Sequence, residues 1–377
     1  MGSMSRVLIV PDKFKGTLTA SAAAGAIANG WWKIRPQDDI ECLPMSDGGD
    51  GFGEIMAGLL GAEERSVATT DAAGRPREAL WWFHADSSTA IIESAQIIGL
   101  ALLPQGRYHP FELDTRGLGA VIRAAHAVHA TKILIGVGGS ATNDAGFGMA
   151  RSIGWQFFDV NDMPIERWIK LDRLARWEVP NDLPSNVDYI VAVDVDNPLL
   201  GPNGCTRVYG PQKGLRTEQS PLAESCLERL AAQARQEYDV DLAAEDGAGA
   251  AGGLGFGFRA FLGARIERGF DIFAFASGLQ EKISRADIVI TGEGMIDRQT
   301  MMGKGTGQVA KAAREQGKIC LGLAGSVDTV THGASHDRLF TGIWGIAPGM
   351  ASPAQAKSEA AVWLERLATK VASEGDW

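Results

Sequence analysis

The chain has 377 residues, enough for two domains or for one large domain carrying a big insertion, and too many for a single small module. Lys and Arg number 36 against 46 Asp and Glu, a net charge of −10, so the basic surface needed to hold a polyanion is not suggested and nucleic acid is not an expected partner. Hydrophobic residues make up 45% of the sequence, which excludes a fibrous or disordered chain and suits a soluble globular protein. Glycine is in excess, at 47 positions against a typical usage of roughly 7%, which points to many tight turns or to backbone that must approach a ligand closely.

Cys42, Cys205, Cys226 and Cys320 are scattered, with no C-x-x-C pair, as in a reducing cytoplasm, and read as small buried hydrophobes. No run approaches the roughly 18 apolar residues of a membrane helix, since the stretch 90–103 is broken by Glu93 and Gln96. The expectation is a cytoplasmic protein without a membrane partner, a monomer or a homodimer.

From the N-terminus, short apolar runs predict strands at 7–10, 40–43, 132–137, 189–193, 287–290, 319–324 and 343–346. Helical periodicity predicts helices at 21–31, 51–60, 118–128, 221–236, 305–316 and 353–372. Their alternation argues for α/β units around a largely parallel sheet. Between 67 and 94 the pattern changes to alternating runs with a turn at 71–75, which predicts a small mixed sheet and the start of a second domain. The boundaries read from this are 1–67 with 282–377 for one domain and 68–281 for the other.

In parallel α/β sheets ligands collect where strands end, so the residues that follow each strand carry the functional signal. After the first strand comes Pro11-Asp12-Lys13-Phe14-Lys15-Gly16; after the second, Ser46-Asp47-Gly48-Gly49-Asp50-Gly51. Later loops read Gly138-Gly139-Ser140-Ala141-Thr142-Asn143-Asp144, Asp194-Val195-Asp196-Asn197, and Thr291-Gly292-Glu293-Gly294 with Gly303-Lys304-Gly305 beyond. Glycine loops opening a helix offer amides to phosphate oxygens, acidic loops suit Mg²⁺, and lysine neutralises transferring charge: together, the parts of phosphoryl transfer. Each carboxylate taken singly reads equally well as a turn or N-cap residue.

Familiar motifs do not account for these loops. Walker A fails because Lys304 is followed by Gly305 and the earlier glycine position holds Arg298. The glycines at 247, 249 and 252 follow Ala-Ala-Glu-Asp, not an apolar strand. The rival is Gly136-Val137-Gly138-Gly139-Ser140-Ala141, which has the strand before it, a helix after it and Asp159 at a strand end, as a dinucleotide-dependent oxidoreductase asks. Against that, Asp144 in the first helical turn would repel a pyrophosphate. His126 with His129 and His332 with His336 read as structural or solvated, Ser326 as a helix cap, and the ten tryptophans as core or interface.

Read in order, these loops resemble the bacterial class I glycerate kinases over nearly the whole chain. The resemblance continues through Gly201-Pro202-Asn203-Gly204, Tyr209-Gly210-Pro211-Gln212-Lys213-Gly214 and the glycines from 247 to 255. It implies an α/β fold of two domains, a Rossmann-like parallel-sheet domain built from both chain ends and an inserted mixed α/β domain, with the active site in the interdomain cleft. It also implies phosphorylation of D-glycerate by ATP with Mg²⁺, typically on the 2-hydroxyl. A related small sugar acid, or the 3-hydroxyl, is the alternative. The chain departs from the family pattern at Lys13, Asp50, Asp196 and Met295, where a small hydroxyl residue, Glu, Thr and Arg are usual.

By chemistry, Asp194 is the expected base for the hydroxyl proton, with Asp144 as runner-up, and Lys15 the cation of the transfer. Asp12, Lys13, Ser140, Asn143 and Asn197 are the candidate substrate residues. Gly138, Gly139, Gly249, Gly252, Gly253, Gly292, Gly294 and Lys304 would take the nucleotide phosphates, and Asp47, Asp50 or Glu293 the metal.

Overall fold

A computed structural model describes residues 4–301, 305–328 and 339–375. Two compact units divide the chain, one formed by the residues up to Asp47 with those from Phe270 onward, the other by Gly48–Gly269. Among the described residues thirteen strands occur: β1 (Arg6–Pro11), β2 (Asp39–Cys42), β3 (Glu63–Thr70), β4 (Pro76–His84), β5 (Thr89–Glu93), β6 (Lys132–Gly136), β7 (Gln156–Asp159), β8 (Leu174–Glu178), β9 (Asp188–Val193), β10 (Arg265–Arg268), β11 (Ile288–Ile296), β12 (Ile319–Val327) and β13 (Gly342–Ala347).

The first unit is built on a parallel five-stranded sheet of order β13-β12-β11-β1-β2. The β-branched run of β1 is buried from Val7 onward, as a central strand covered on both faces must be. Helix Ala20–Trp32 starts where the Thr19 side chain accepts from the Ala22 amide. It lies tight against helix Ala360–Glu374, because a Cβ on Gly30 would come within 2.2 Å of the Glu365 carbonyl oxygen. Trp31 is buried in the same layer and its indole donates to Asp38.

Three elements here differ from expectation. β11 runs on to Ile296, its register with β12 continuing to Met295 opposite Ser326, so Gly292, Glu293 and Gly294 are strand residues, not a loop. The same pairing places Ser326 in a strand and removes it as a helix cap. The C-terminal helix is two, Pro353–Ser358 and Ala360–Glu374, broken at Glu359 with φ of −127°.

The second unit holds a six-stranded mixed sheet of order β10-β9-β6-β5-β4-β3, parallel from β10 to β5 and antiparallel beyond, with β7 and β8 as a separate hairpin. The turn into β4 is held by Asp71, whose carboxylate accepts from the Ala73 and Arg75 amides. β3 pairs with β4 along its whole length, so the strand is not divided near Val67, and helix Phe52–Leu60 packs on Trp82 at Gly53; the first boundary therefore falls at Gly48. At the other end, helix Leu279–Arg285 is tied to Gln316 and Lys318 and belongs to the first unit, which moves the second boundary from 282 to 270. Trp155, Phe157, Trp177 and Phe261 meet edge to face in the core of the second unit, each pair worth about 1 kcal/mol beyond area burial.

Candidate active site

All five strands of the first sheet run the same way, so the residues leaving β1 and β2 and the end of β11 share one edge. Asp12, directly after β1, is almost wholly buried, and its carboxylate takes the Lys13 amide at 2.7 Å. Burial pushes its pKa up to about 8, the Asp47 carboxylate adds to the rise, Lys13 pulls it back and Glu293 adds again. Lys13 Nζ lies 3.6 Å from Asp47, which places a cation among the carboxylates. Glu293 Oε1 accepts from Thr300 Oγ1 at 2.8 Å. Its pKa is pushed up to about 7, by burial first, against the hydroxyls of Thr300 and Thr306, with Asp297 and Asp47 adding negative field. Helix Gly305–Glu315 begins beside this group, a Cβ on Gly305 lying 3.7 Å from Asp12 Oδ2.

Carboxylates that raise one another's pKa are what a divalent cation relieves. No three His, Cys, Asp or Glu side chains among the described residues come together as a ready cage. Mg²⁺ binds through one or two carboxylates completed by phosphate oxygens, and the crowded Asp12, Asp47 and Glu293 fit that donor set. Asp50 belongs to the second unit, where it is exposed and lies against Gly139. Lys15 is exposed, its amide 3.3 Å from where a Cβ on Gly294 would stand. Lys304, His332 and His336 lie outside the described residues.

In the second unit the glycine loop leaves β6. Gly139 has φ of +72°, and a Cβ there would come within 2.3 Å of Asp50 Oδ1, so both backbone and space call for glycine. Ser140 Oγ donates to the Ala251 carbonyl at 2.7 Å, and Lys213 Nζ donates to the Thr142 carbonyl at 2.6 Å and to Ser140 Oγ at 3.1 Å. Burial lowers the Lys213 ammonium pKa to about 8, against upward pulls from Cys205 and Asp144. Asn143 donates to Thr206 Oγ1 at 3.0 Å, whereas its own Oδ1 and Thr142 Oγ1 are buried without a partner. Ala251, Gly252 and Gly253 are all left-handed inside helix Ala250–Leu262, and Gly249 donates its amide to the Asn197 carbonyl at 2.8 Å.

Asp144 is wholly buried, and its carboxylate takes the Thr115 amide and hydroxyl and the Gly146 and Gly148 amides. It fills the helix start that a pyrophosphate would need, and Asp159 is spent on the turn amides of Asn161 and Met163, so the dinucleotide reading finds no support in the geometry. Asp194 is exposed immediately beyond β9 and its field reaches Tyr209. Asn197 accepts from the Tyr209 hydroxyl at 2.6 Å and donates to the Asn203 carbonyl, while Asp196 pairs with Arg268. His126 is a structural partner of Tyr189.

The structure thus brings Ser140, Gly252 and the Asn143 loop together and adds residues that sequence reasoning missed. Lys213 was visible only as a letter of the Tyr209-to-Gly214 run. Glu93, buried at the end of β5, appeared only as a charge interrupting an apolar stretch, yet it accepts from the Gly51 and Gly53 amides at 3.0 Å and caps helix Phe52–Leu60 in place of a side chain at its N-cap, Gly51.

The sequence matches the glycerate kinase family over residues 7–374. A glycerate kinase of Bacillus subtilis (strain 168) is 37% identical over 372 residues, 98% of this chain and 97% of the relative. A glycerate 2-kinase of Escherichia coli (strain K12) is 37% identical over 342 residues, 89% and 90% of the two chains. A crystal structure described as glycerate kinase 2 from Salmonella typhimurium LT2 superimposes with a TM-score of 0.80 at 33% identity, covering 98% of each chain.

Proposed function

The chain belongs to the glycerate kinase family and is a kinase, and on that premise we propose that it transfers the terminal phosphoryl group of ATP to the 2-hydroxyl of D-glycerate. The observation that carries the finer reading is the division of charge: a crowded acidic edge of Asp12, Asp47 and Glu293 in the first unit, and the buried Lys213 against the Ser140 loop in the second. Magnesium held by Asp47 and Glu293, with Asp12 beside them, supplies neutralisation of phosphate charge when bound.

The chain's own residues do the rest. Ser140, Asn143 and Asn197 orient the hydroxy acid. Asp194, exposed at its strand end, accepts the hydroxyl proton as the new O–P bond forms and the bond to the ADP oxygen breaks. Lys15 and Lys13 offset the negative charge of the transferring group. The amides of Gly139 and Gly252 meet phosphate oxygens, whereas those of Gly138, Gly249 and Gly253 are already given to the Gly48, Asn197 and Gly249 carbonyls, and Gly294 keeps β11 clear beside Lys15. Asp144 takes a positioning role, because its oxygens are committed to Thr115 and the helix start.

The test is ADP release with glycerate, tartronate, threonate and erythronate in turn, with ³¹P NMR of the product. Glycerate with a 2-phospho product is expected. A 3-phospho product, or faster turnover of a longer acid, replaces the regiochemistry or the substrate, and no ADP release with any of them overturns the proposal. Among the described residues no helix is long and apolar enough to cross a membrane.

A further inference from the structure

Lys213 ends the short turn Pro211–Lys213 and is only 7% exposed. Its ammonium joins three segments of the second unit. It donates to the Thr142 carbonyl and to Ser140 Oγ, the Ser140 hydroxyl in turn donates a hydrogen bond to the Ala251 carbonyl, and Gly252 lies so close that a Cβ would stand 2.0 Å from the Thr142 oxygen and 2.9 Å from Nζ. Among the described residues no carboxylate pairs with it. The titratable groups whose fields reach it are Cys205, kept a neutral thiol by burial, and Asp144, whose carboxylate is committed to the Thr115, Gly146 and Gly148 amides.

A buried cation without a carboxylate is costly, and the cost is recovered when an anion settles nearby, where the low dielectric strengthens the attraction. The loop that Lys213 grips also carries the two orphaned buried oxygens, Thr142 Oγ1 and Asn143 Oδ1. Buried polar atoms without partners are uncommon, and a hydroxyl donor beside an amide acceptor suits a ligand bearing a carboxylate next to a hydroxyl.

We propose that Lys213 is a positioning residue for the hydroxy acid: it locks the 140–142 loop against the 251–253 turn, and its charge holds the substrate carboxylate beside that loop. This rests on the reading that the acceptor is glycerate. The depressed pKa of the ammonium agrees, since an anion bound nearby would return it toward its ordinary value.

The test compares wild type with Lys213→Met, similar in length but uncharged, and Lys213→Arg, all checked for folding by circular dichroism and melting. Lys213→Met should raise KM for glycerate about tenfold or more and leave KM for ATP within about twofold, with Lys213→Arg recovering part of the loss. An unchanged glycerate KM in a folded Lys213→Met, or a rise in the ATP KM alone, overturns the proposal. Should that variant not fold, calorimetry of glycerate binding to the wild-type protein at about pH 8.5, in buffers of different ionisation enthalpy, decides the matter. Proton uptake is expected, and its absence overturns the role of Lys213. Failure of the wild-type protein to phosphorylate glycerate would instead remove the functional reading beneath it.

Discussion

Thr115 donates both its amide and its hydroxyl to Asp144 Oδ2, at 2.9 and 2.8 Å, while the same hydroxyl accepts from the Met149 amide. The pair fastens the segment ahead of helix Gly117–Ala127 to the loop after β6 and to the start of helix Phe147–Ser152, and it lies wholly in the interior. Burial pushes the Asp144 pKa up to about 6, the Asp114 carboxylate adds to it, and the Gly148 and Thr115 bonds hold it back. Because the folded value lies above the unfolded one, the group favours the fold most below about pH 4, and that contribution is lost as pH rises through 6. Against Asp144→Asn, the stability advantage of the wild type should therefore widen on going from about pH 7 to pH 4, by about 1 to 3 kcal/mol. Chemical denaturation of both proteins across that range measures it, and a constant gap would mean that Asp144 keeps an ordinary pKa.

Glu93 leads to a second prediction. Its two oxygens take the Gly51 and Gly53 amides, so the acidic glycine loop enters its helix on a carboxylate supplied from β5. Glu93→Ala should cost about 2 kcal/mol, Glu93→Gln less, and in both the Gly51 and Gly53 amides should exchange faster with solvent. Unfolding curves and amide hydrogen exchange read the two effects separately.

How much of this was open to a reader of the sequence depends on distance along the chain. The apolar runs of β1, β6 and β9 announce themselves locally, and so do the turn at Asp71 and the glycines after β6. β11 was cut short because Gly-Glu-Gly breaks its apolar run, although the backbone goes on pairing with β12. Glu93 meets its amides across 42 and 40 residues, and Lys213 meets Thr142 across 71, so no local pattern could pair them. Asp194 was expected at the end of a buried strand, and that strand is buried; the exposure begins at Asp194 itself, where the sheet ends.

Gly139 and Gly252 test the glycine loops. Both have positive φ, and a Cβ on Gly252 would strike the Thr142 carbonyl oxygen, whereas the Cβ on Gly139 would meet the movable end of Asp50. Gly139→Ala should cost about 1 to 2 kcal/mol and Gly252→Ala more, with a larger loss of kcat/KM in the second because its collision is with backbone that Lys213 also grips. Gly294→Ala, with nothing nearer than 3.3 Å and no left-handed φ, is the mild member of the series.

The acidic edge of the first unit should show itself through magnesium. Asp47 raises the pKa of both Asp12 and Glu293, and Glu293 raises that of Asp12 as well. Asp47→Asn or Glu293→Gln should raise the Mg²⁺ concentration for half-maximal activity by about tenfold, each removing one ligand charge. Titration of activity with Mg²⁺ at saturating ATP measures this, and an unmoved midpoint in both variants would place the metal elsewhere.

Asp194 carries the prediction closest to the chemistry. It is the first exposed residue after β9, and its charge reaches the Tyr209 hydroxyl that bonds Asn197. A carboxylate acting as general base loses that ability on conversion to the amide but keeps its shape, so Asp194→Asn should lower kcat by about 10² or more while glycerate KM stays within a few fold. A merely structural aspartate at this exposed position would instead leave kcat nearly intact. Steady-state kinetics of the purified variant, with melting to confirm the fold, separates the two: near-normal turnover would remove Asp194 from the proton transfer and leave the acidic edge of the first unit as the place to seek the base.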